Sequence, residues 1–299
     1  MKRFLSANTS DMSKWQAADL KQSIRASEGR VIVSENVATR ESFIGDITNA
    51  EIARAFGADL ILLNGVDVLE PYIFGLEEPY EGSFVDHLHK LVGRPIGVNL
   101  EPVDNTATMA ESKLDISRGR QANEDTFKKI EELNFDFVCF TGNPGTGVSN
   151  KEILAAVKDA KKHFSGLIIA GKMHGAGVAE PVASVDIIKD LVEAGADVIL
   201  VPAVGTVPGF DEAELKASVA YAHEKGALVM SAIGTSQESA DEATIRELAI
   251  KNKICGVDMQ HIGDAGYGGV AVVENIIAMG LAIRGRRHQY SMMARSINR

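Results

Sequence analysis

The chain has 299 residues, of which 45% are hydrophobic and 24% are charged, so it can bury a large core and has an ordinary globular composition. Its formal net charge of -10 argues against a general nucleic-acid surface and against an anionic-membrane surface. Both cysteines adjoin apolar runs, which indicates buried free thiols in a reducing compartment. The hydropathy pattern predicts neither an export signal nor a membrane span, so a cytoplasmic protein is expected.

Short apolar runs recur along the chain, and each has the composition of a buried parallel strand. Helix-like segments separate them, for example Thr48–Phe56, which opens with the capping box Thr48/Glu51. Eight alternating units predict a (β/α)8 barrel, because a doubly wound sheet of this length would more often have fewer strands and a second domain. The predicted strands are Val31–Val33, Leu60–Leu63, Ile96–Leu100, Phe137–Phe140, Leu167–Ala170, Val198–Val201, Leu228–Ala232 and Val257–Met259.

Two end segments lie outside the predicted barrel of residues 30–285. Residues 1–29 carry apolar side chains at partly helical spacing, and a helical extension covering the N-terminal end of the barrel is expected. Residues 286–299 form a basic tail without an acidic residue. This tail is expected either to dock on a neighbouring subunit of a homo-oligomer or to be solvated.

The loops indicate which face of the barrel carries function. Turns from a helix into the next strand are brief, as in residues 57–59 and 195–197, whereas the segments that leave the strands are longer and polar. In a (β/α)8 barrel these longer loops gather at the C-terminal face, where active sites are built. Polar residues at the predicted strand ends are therefore the candidate site: Glu35, Asn64, Asp67, Asn99, Glu101, Lys172, His174 and Asp258.

Lys172 is the most unusual of these residues, because it follows a buried apolar run directly. A buried ammonium is costly without a partner, and Glu35, Glu101 or Asp258 is expected to supply one. Lys172 then either closes a structural ion pair or takes part in substrate binding and proton transfer. Asp258 is structural if it faces the helices, and a solvated loop is the alternative for His174.

The loops after strands seven and eight resemble a phosphate site in composition. The seventh contains Gly234, Thr235 and Ser236, and the eighth contains Gly266, Gly268 and Gly269. Glycines let backbone N–H groups approach an anion, and these two loops often hold phosphate in barrels. Both loops are therefore expected to anchor a phosphorylated substrate, although Asp264 would repel an anion unless it turned outward.

Runs such as SENV, GDITNAEIARAFGADLILLN and GRPIGVNLEP make residues 30–284 similar to a bacterial family of TIM barrels sometimes labelled phosphoenolpyruvate phosphonomutase-like. This resemblance implies a barrel and Mg2+ or Mn2+ held by acidic residues at strand ends, and Glu101 and Asp67 are similar in kind and place. The lysine-containing gating loop of true phosphonomutases does not follow strand four, where the chain reads TGNPGTGVS. The glycines of loop eight are closer to those of ribulose-phosphate-binding barrels.

Together these features predict an enzyme with lyase or isomerase chemistry on a small phosphorylated metabolite, through an enolate or enediolate. Glu35 or Asp258 is expected to act as base, and Lys172, with an optional divalent cation at Glu101, to stabilise the oxyanion. A Schiff base on Lys172 would dispense with the metal. Hydrolysis of a phosphorylated sugar derivative by a carboxylate pair and a non-catalytic phosphometabolite-binding or assembly subunit remain as alternatives.

Overall fold

The computed structural model describes residues 2–299, in which eight parallel strands close into one barrel with each strand paired to its sequence neighbours. The (β/α)8 fold predicted from the sequence is thereby confirmed. The strands are β1 (Val31–Val37), β2 (Leu60–Asn64), β3 (Ile96–Leu100), β4 (Phe137–Phe140), β5 (Leu167–Gly171), β6 (Val198–Pro202), β7 (Leu228–Ile233) and β8 (Met259–Ile262). The helices are α1 (Thr9–Met12), α2 (Ala17–Arg25), α3 (Asn49–Ala55), α4 (Phe84–Val92), α5 (Glu124–Glu132), α6 (Asn150–Ala160), α7 (Val185–Ala194), α8 (Glu212–Glu224), α9 (Glu242–Ile254) and α10 (Val273–Ala294).

Side chains of the strands alternate between two apolar clusters, as the period of two requires. Inward residues such as Val33, Leu62 and Ile169 fill the barrel, and outward residues such as Ile32 and Ile61 pack against the helices. Toward the C-terminal ends the inward positions become polar. This change turns a packed interior into a polar mouth.

An aspartate precedes every even-numbered strand and clamps it to the strand before. Its backbone N–H donates to a carbonyl of the odd-numbered strand, and its Oδ2 accepts from the N–H of that same residue. Each carboxylate also contacts a basic side chain. The four pairs are Asp59–Arg284, Asp136–His89, Asp197–Lys21 and Asp258–His223. These clamps lie at the N-terminal ends of the strands, opposite the mouth.

The prediction of Asp258 as a catalytic base is therefore wrong. Strand β8 was expected at Val257–Met259 but begins at Met259, so Asp258 lies before the strand and not beyond it. Its Oδ2 accepts from the Val229 N–H and from His223 Nε2, both at 2.8 Å. The apolar Val257 resembles the start of a strand in composition, but it precedes β8, and Asp258 holds β7 to β8.

Both ends of the chain close the N-terminal side of the barrel. Phe4, Leu20 and Ile24 join the apolar cluster of the barrel interior, as does Met292 from the end of α10. Helix α10 is kinked at Gly285, where φ is 69°, and its second part runs beneath the barrel. The basic segment after residue 285 thus packs on its own chain and is not a solvated tail.

Hydrogen bonds fix this terminal segment. Arg284 forms a fully buried ion pair with Asp59 at 2.5 Å, and Arg295 donates to Asn8 Oδ1 at 2.6 Å. Arg94, which is 2% exposed, donates to the Met292 carbonyl at 3.1 Å. Within residues 2–299 no helix is both long enough and apolar enough to cross a membrane.

Candidate active site

A cavity of about 130 Å³ opens at the C-terminal ends of the strands. Inward positions of β1 to β3 and the loops after β4, β5, β7 and β8 build its wall, so it occupies the face on which barrel active sites lie. Its polar lining consists of Glu35, Asn64, Asn99, Thr141, Asn143, His174, Thr235, Ser236, Glu238 and Asp264. The structure therefore brings together Glu35, Asn64, Asn99, His174 and the residues of loop seven that the sequence singled out.

Asp264 is the carboxylate with the most altered acidity in the cavity. Burial raises its pKa from 3.8 to about 6, and the nearby charge of Glu35 raises it further, while a hydrogen bond from Asn64 opposes the shift. A carboxyl group with a pKa near 6 can exchange a proton with substrate near neutral pH. Asp264 therefore has the properties of a general base.

His174 lines the same cavity in a neutral form. Burial lowers its pKa below the usual 6.5, and the neighbouring Lys172 lowers it further. Its Nδ1 accepts a hydrogen bond from the Ala176 N–H at 3.1 Å, which places the proton of the neutral ring on Nε2. The Nε2–H is thus available as a donor to a substrate oxygen.

A hydrogen-bonded amide network holds Asp264 in place. Asn64 Nδ2 donates to Asp264 Oδ2 at 2.8 Å and to Asn143 Oδ1 at 2.8 Å. Asn143 in turn donates through Nδ2 to Glu101 Oε1 at 2.9 Å and through its backbone N–H to Glu101 Oε2 at 2.8 Å. At the end of this network Arg120 Nη2 donates to Glu101 Oε1 at 2.8 Å. Fixed side chains of this kind restrict the orientation of the base.

Beside the cavity the imidazole of His261 lies against Glu35. His261 is fully buried, and its Nε2 is 3.1 Å from Glu35 Oε2 without hydrogen-bond geometry, so both ring nitrogens lack a partner. Glu238 is also buried. Its Oε1 accepts a hydrogen bond from the Ala265 N–H at 3.1 Å, and its Oε2 has no partner. Burial raises the pKa of Glu238. The cavity therefore combines three carboxyl groups with two imidazoles nearby.

Lys172 does not reach this cavity. It follows the inward-facing Gly171, so the alternation of β5 turns it toward the helix layer. Its Nζ lies 2.6 Å from Glu180 Oε1, and that same oxygen accepts from the N–H of Asn150 at the start of α6. The expected pairing with Glu35, Glu101 or Asp258 is wrong, and the buried ammonium is satisfied by a carboxylate from the following loop.

Glu101 and Asp67 do not form a metal site together. Glu101 is occupied by Arg120 and Asn143, and Asp67 Oδ1 accepts from the N–H groups of Leu69 and Glu70. Hydrogen bonds lower the pKa of Asp67 despite its partial burial. Among residues 2–299 no cluster of three or more His, Cys, Asp or Glu side chains could hold a metal ion. These carboxylates fit a structural role better than the predicted Mg2+ or Mn2+ site.

The glycines of loop eight serve close packing. A Cβ at Gly266 would lie 2.0 Å from the Val270 carbonyl oxygen, and one at Gly268 would lie 2.8 Å from the Phe43 N atom. Gly269 similarly abuts Val37, and none of the three lines the cavity. The predicted phosphate anchor is not built from these residues, because β1 and the loop after it occupy the space against Gly268 and Gly269, and the residues that follow loop eight pack against Gly266.

Loop seven does line the cavity, at Gly234, Thr235 and Ser236. Thr235 and Ser236 have φ values of 58° and 68°, a left-handed conformation that L-residues rarely adopt. Such strain is found preferentially at functional sites. The Thr235 hydroxyl donates to the Thr206 carbonyl at 2.9 Å, so it supports the turn.

The sequence does not indicate Asp264 or Glu238 as site residues, and it places Asn143 and His261 at strand ends without specifying a role for them. Asp264 lies several residues beyond the predicted end of β8, where its charge indicates only repulsion of a phosphate. With β8 ending at Ile262, the alternation turns His261 inward and brings Asp264 to the mouth. Glu238 and Asn143 lie in loops where no periodic signal specifies direction.

The family described as "Domain of unknown function (DUF7916)" matches residues 5–299. No curated protein gives a match. Among solved structures, an archaeal fructose 1,6-bisphosphate aldolase aligns at 17% identity with a TM-score of 0.54, covering 87% of this chain and 96% of that chain. The carboxyl transferase domain of pyruvate carboxylase from Rhizobium etli, solved with pyruvate, aligns at 13% identity with a TM-score of 0.51, covering 95% and 52%. Likenesses at such identities show the fold alone.

Proposed function

This chain belongs to the DUF7916 family, and we propose that it is an enzyme of lyase or isomerase type that converts a small carbonyl compound through an enolate or enediolate. One observation supports this most strongly. Asp264, with a pKa raised to about 6, and His174, with a free Nε2–H, line one cavity at the C-terminal mouth. Enolisation requires such a base and such a donor.

In the proposed reaction the carboxylate of Asp264 removes a proton from the carbon beside the carbonyl group. Negative charge moves to the carbonyl oxygen, where the Nε2–H of His174 stabilises it. In an isomerase the proton of the neighbouring hydroxyl group moves to the former carbonyl oxygen, and Asp264 returns its own proton to the former carbonyl carbon. In a lyase Asp264 instead takes the proton of a β-hydroxyl group, the carbon–carbon bond breaks, and the same proton is returned to the enolate carbon. Asn64 keeps the carboxylate oriented in both cases.

A neutral imidazole suits this role because its Nε2–H can donate to an oxyanion while its Nδ1 keeps the hydrogen bond from the Ala176 N–H. Burial and Lys172 keep the pKa of His174 low, so Lys172 contributes through its charge although it lies outside the cavity. Neither a metal nor a Schiff base is needed in this scheme. The mouth supports the carbonyl chemistry more strongly than the predicted phosphate anchor, since the glycines of loop eight are engaged in packing.

Hydrolysis is the second candidate, and it is favoured by the electrostatic coupling of Glu35 and Asp264. Burial, and after it the charge of Glu35, raises the pKa of Asp264, so a protonable carboxyl group lies beside a second carboxyl group in the same cavity. Glycoside hydrolysis uses a pair of carboxyl groups in different environments. It predicts water-dependent cleavage of a glycosidic bond with no exchange of carbon-bound hydrogen.

Deuterium incorporation from heavy water into a panel of hydroxyketones, hydroxyaldehydes and 2-keto acids, followed by proton NMR, tests the proposal. Wild-type protein is expected to label the carbon beside the carbonyl group of at least one compound. His174→Gln should slow labelling by about 10²-fold, the usual loss for one oxyanion donor. A wild-type protein that labels no compound but cleaves glycosides would replace this proposal by the hydrolase. Binding without either reaction would indicate the non-catalytic alternative.

A further inference from the structure

The charges around the mouth are unevenly distributed. Glu35, Glu238 and Asp264 line the cavity, whereas no lysine or arginine does. The two nearby cations are already paired, Lys172 with Glu180 at 2.6 Å and Arg120 with Glu101 at 2.8 Å. A phosphate dianion in this cavity would face carboxylates without a compensating cation, which low-dielectric surroundings make costly.

The cavity wall also holds buried polar atoms that no protein group satisfies. Asn99 Oδ1, Thr141 Oγ1 and Glu238 Oε2 are buried and unpartnered, and all three residues line the cavity. Asn99 is 3% exposed, Thr141 1% and Glu238 3%, so each is more than nine-tenths buried. Buried polar atoms are normally hydrogen-bonded, and unsatisfied ones call for a ligand or water. The Asn99 oxygen can only accept, which requires a ligand that donates.

We propose that the cavity takes a short, uncharged polyhydroxylated carbonyl compound, a free sugar of a few carbons, in preference to its phosphate ester. This inference rests on the proposed function for the carbonyl group and on the geometry of the wall for the hydroxyl groups. Hydroxyls of the ligand donate to Asn99 Oδ1 and Glu238 Oε2, while Thr141 Oγ1 can donate or accept. A cavity of about 130 Å³ limits the ligand to a small compound.

An amine is a poorer match for the same wall at one point. A primary ammonium group would also donate to the unpartnered acceptors, but it has no lone pair with which to accept from the His174 Nε2–H. A hydroxyl group donates to the unpartnered acceptors and also accepts from the His174 Nε2–H. The mixture of acceptors with one donor therefore fits a sugar.

The test is calorimetric binding of erythrose, ribulose and fructose, each paired with its terminal phosphate ester, to the Asp264→Asn variant, which should not turn them over. This variant lacks one of the three carboxylates that would repel a phosphate group, so it should bind the esters more readily than the wild-type cavity and makes the test stricter. At least one free sugar is expected to bind tenfold or more tightly than its phosphate ester. Tighter binding of the esters, or of the matching amino sugars, would overturn the inference.

Three further variants, made in the same background, test whether the polar atoms of the cavity wall carry the preference. Thr141→Val removes only the orphaned hydroxyl, so free-sugar affinity should fall roughly tenfold, the value of about one net hydrogen bond, without a fall in Tm. Ser231→Ala is the matched control, because its buried and equally unpartnered hydroxyl lies on β7 outside the cavity lining. Glu238→Gln should lower the ratio of free-sugar affinity to phosphate-ester affinity, because it removes a carboxylate that repels the phosphate group. Equal effects of Thr141→Val and Ser231→Ala would contradict the assignment.

The inference and the proposed function fail in different ways. Wild-type deuterium labelling of a sugar phosphate, together with tighter binding of esters, would retain the enolising enzyme and overturn the free-sugar preference. Preferred binding of free sugars without labelling would retain the ligand class and overturn the reaction.

Discussion

At the scale of single residues, Asp264 combines chemical use with a cost in stability. Burial raises its pKa to about 6, so the folded protein holds the proton more tightly than the unfolded chain does. Proton binding by Asp264 therefore favours the folded state. This contribution to the free energy of unfolding is fully present below 3.8, the pKa in the unfolded chain, and is lost as the pH rises through about 6. The shift corresponds to roughly 3 kcal/mol.

Replacing Asp264 with Asn should therefore stabilise the protein above pH 6, by up to about 3 kcal/mol, with a smaller difference toward pH 4. The amide oxygen can still accept from Asn64, so the network survives. Urea denaturation of both proteins at several pH values measures the difference. Equal stability at pH 8 would show that Asp264 is not strained by burial.

The sequence identified some residues of the site and missed others for a physical reason. Glu35, Asn64 and Asn99 belong to the inward register of strands whose apolar patterns are clear. Lys172 directly follows β5, as the sequence indicates, but the alternation of that strand turns its side chain outward and away from the cavity. Glu238 sits in a short 3-10 helix, where sequence carries no direction signal.

At the scale of elements, the aspartate clamps make a prediction about Asp258. Its replacement by Ala would leave the buried Val229 N–H without its side-chain acceptor and would free His223. The free energy of unfolding should fall by about 1–3 kcal/mol, while turnover per folded molecule stays unchanged. Chemical denaturation and deuterium labelling measure the two quantities. A large loss of labelling in fully folded protein would restore Asp258 as a catalytic residue.

Loop eight allows a second comparison at this scale. Gly268 and Gly209 both have positive φ values, of 69° and 78°, but only Gly268 has backbone atoms within 3 Å of an added Cβ. Gly209→Ala should cost about 1 kcal/mol for conformation alone. Gly268→Ala should cost a further 1–3 kcal/mol or so, because the loop after β1 must shift.

Thermal melts of the two alanine variants measure this difference. Similar melting temperatures would mean that loop eight is loosely packed, and the glycines could then serve a ligand after all.

The number and order of the strands were readable from sequence, since eight apolar runs are strong signals. The close contact between loop eight and the β1 loop was not, because it joins segments more than 200 residues apart.

At the scale of the whole molecule, the ion pair between Arg284 and Asp59 ties the end of the chain to the underside of the barrel. Both side chains are fully buried, and burial raises the pKa of Asp59 against the effect of the arginine. Arg284→Met should lower the free energy of unfolding by about 3–5 kcal/mol, because it leaves a buried carboxylate without its cation.

Arg286→Met is the matched control, since Arg286 is exposed two residues further along the same helix. It should change stability by less than about 0.5 kcal/mol. Equal effects of the two substitutions in chemical denaturation would show that charge loss in the tail, and not the buried pair, is responsible. The basic composition of residues 286–299 predicts either docking on a neighbouring subunit or a solvated tail, and nothing in the sequence indicates that Arg284, just before this segment, pairs with Asp59.

The most direct test of the account is the pH dependence of deuterium labelling by wild-type protein and by Asp264→Asn. If Asp264 is the base, the wild-type rate per enzyme should rise through about pH 6, the value to which burial raises the pKa of this group, and then level off. Asp264→Asn should label at least about 10²-fold more slowly and lose the rise near pH 6. An Asn variant that labels at the wild-type rate with the same pH profile would contradict the central claim.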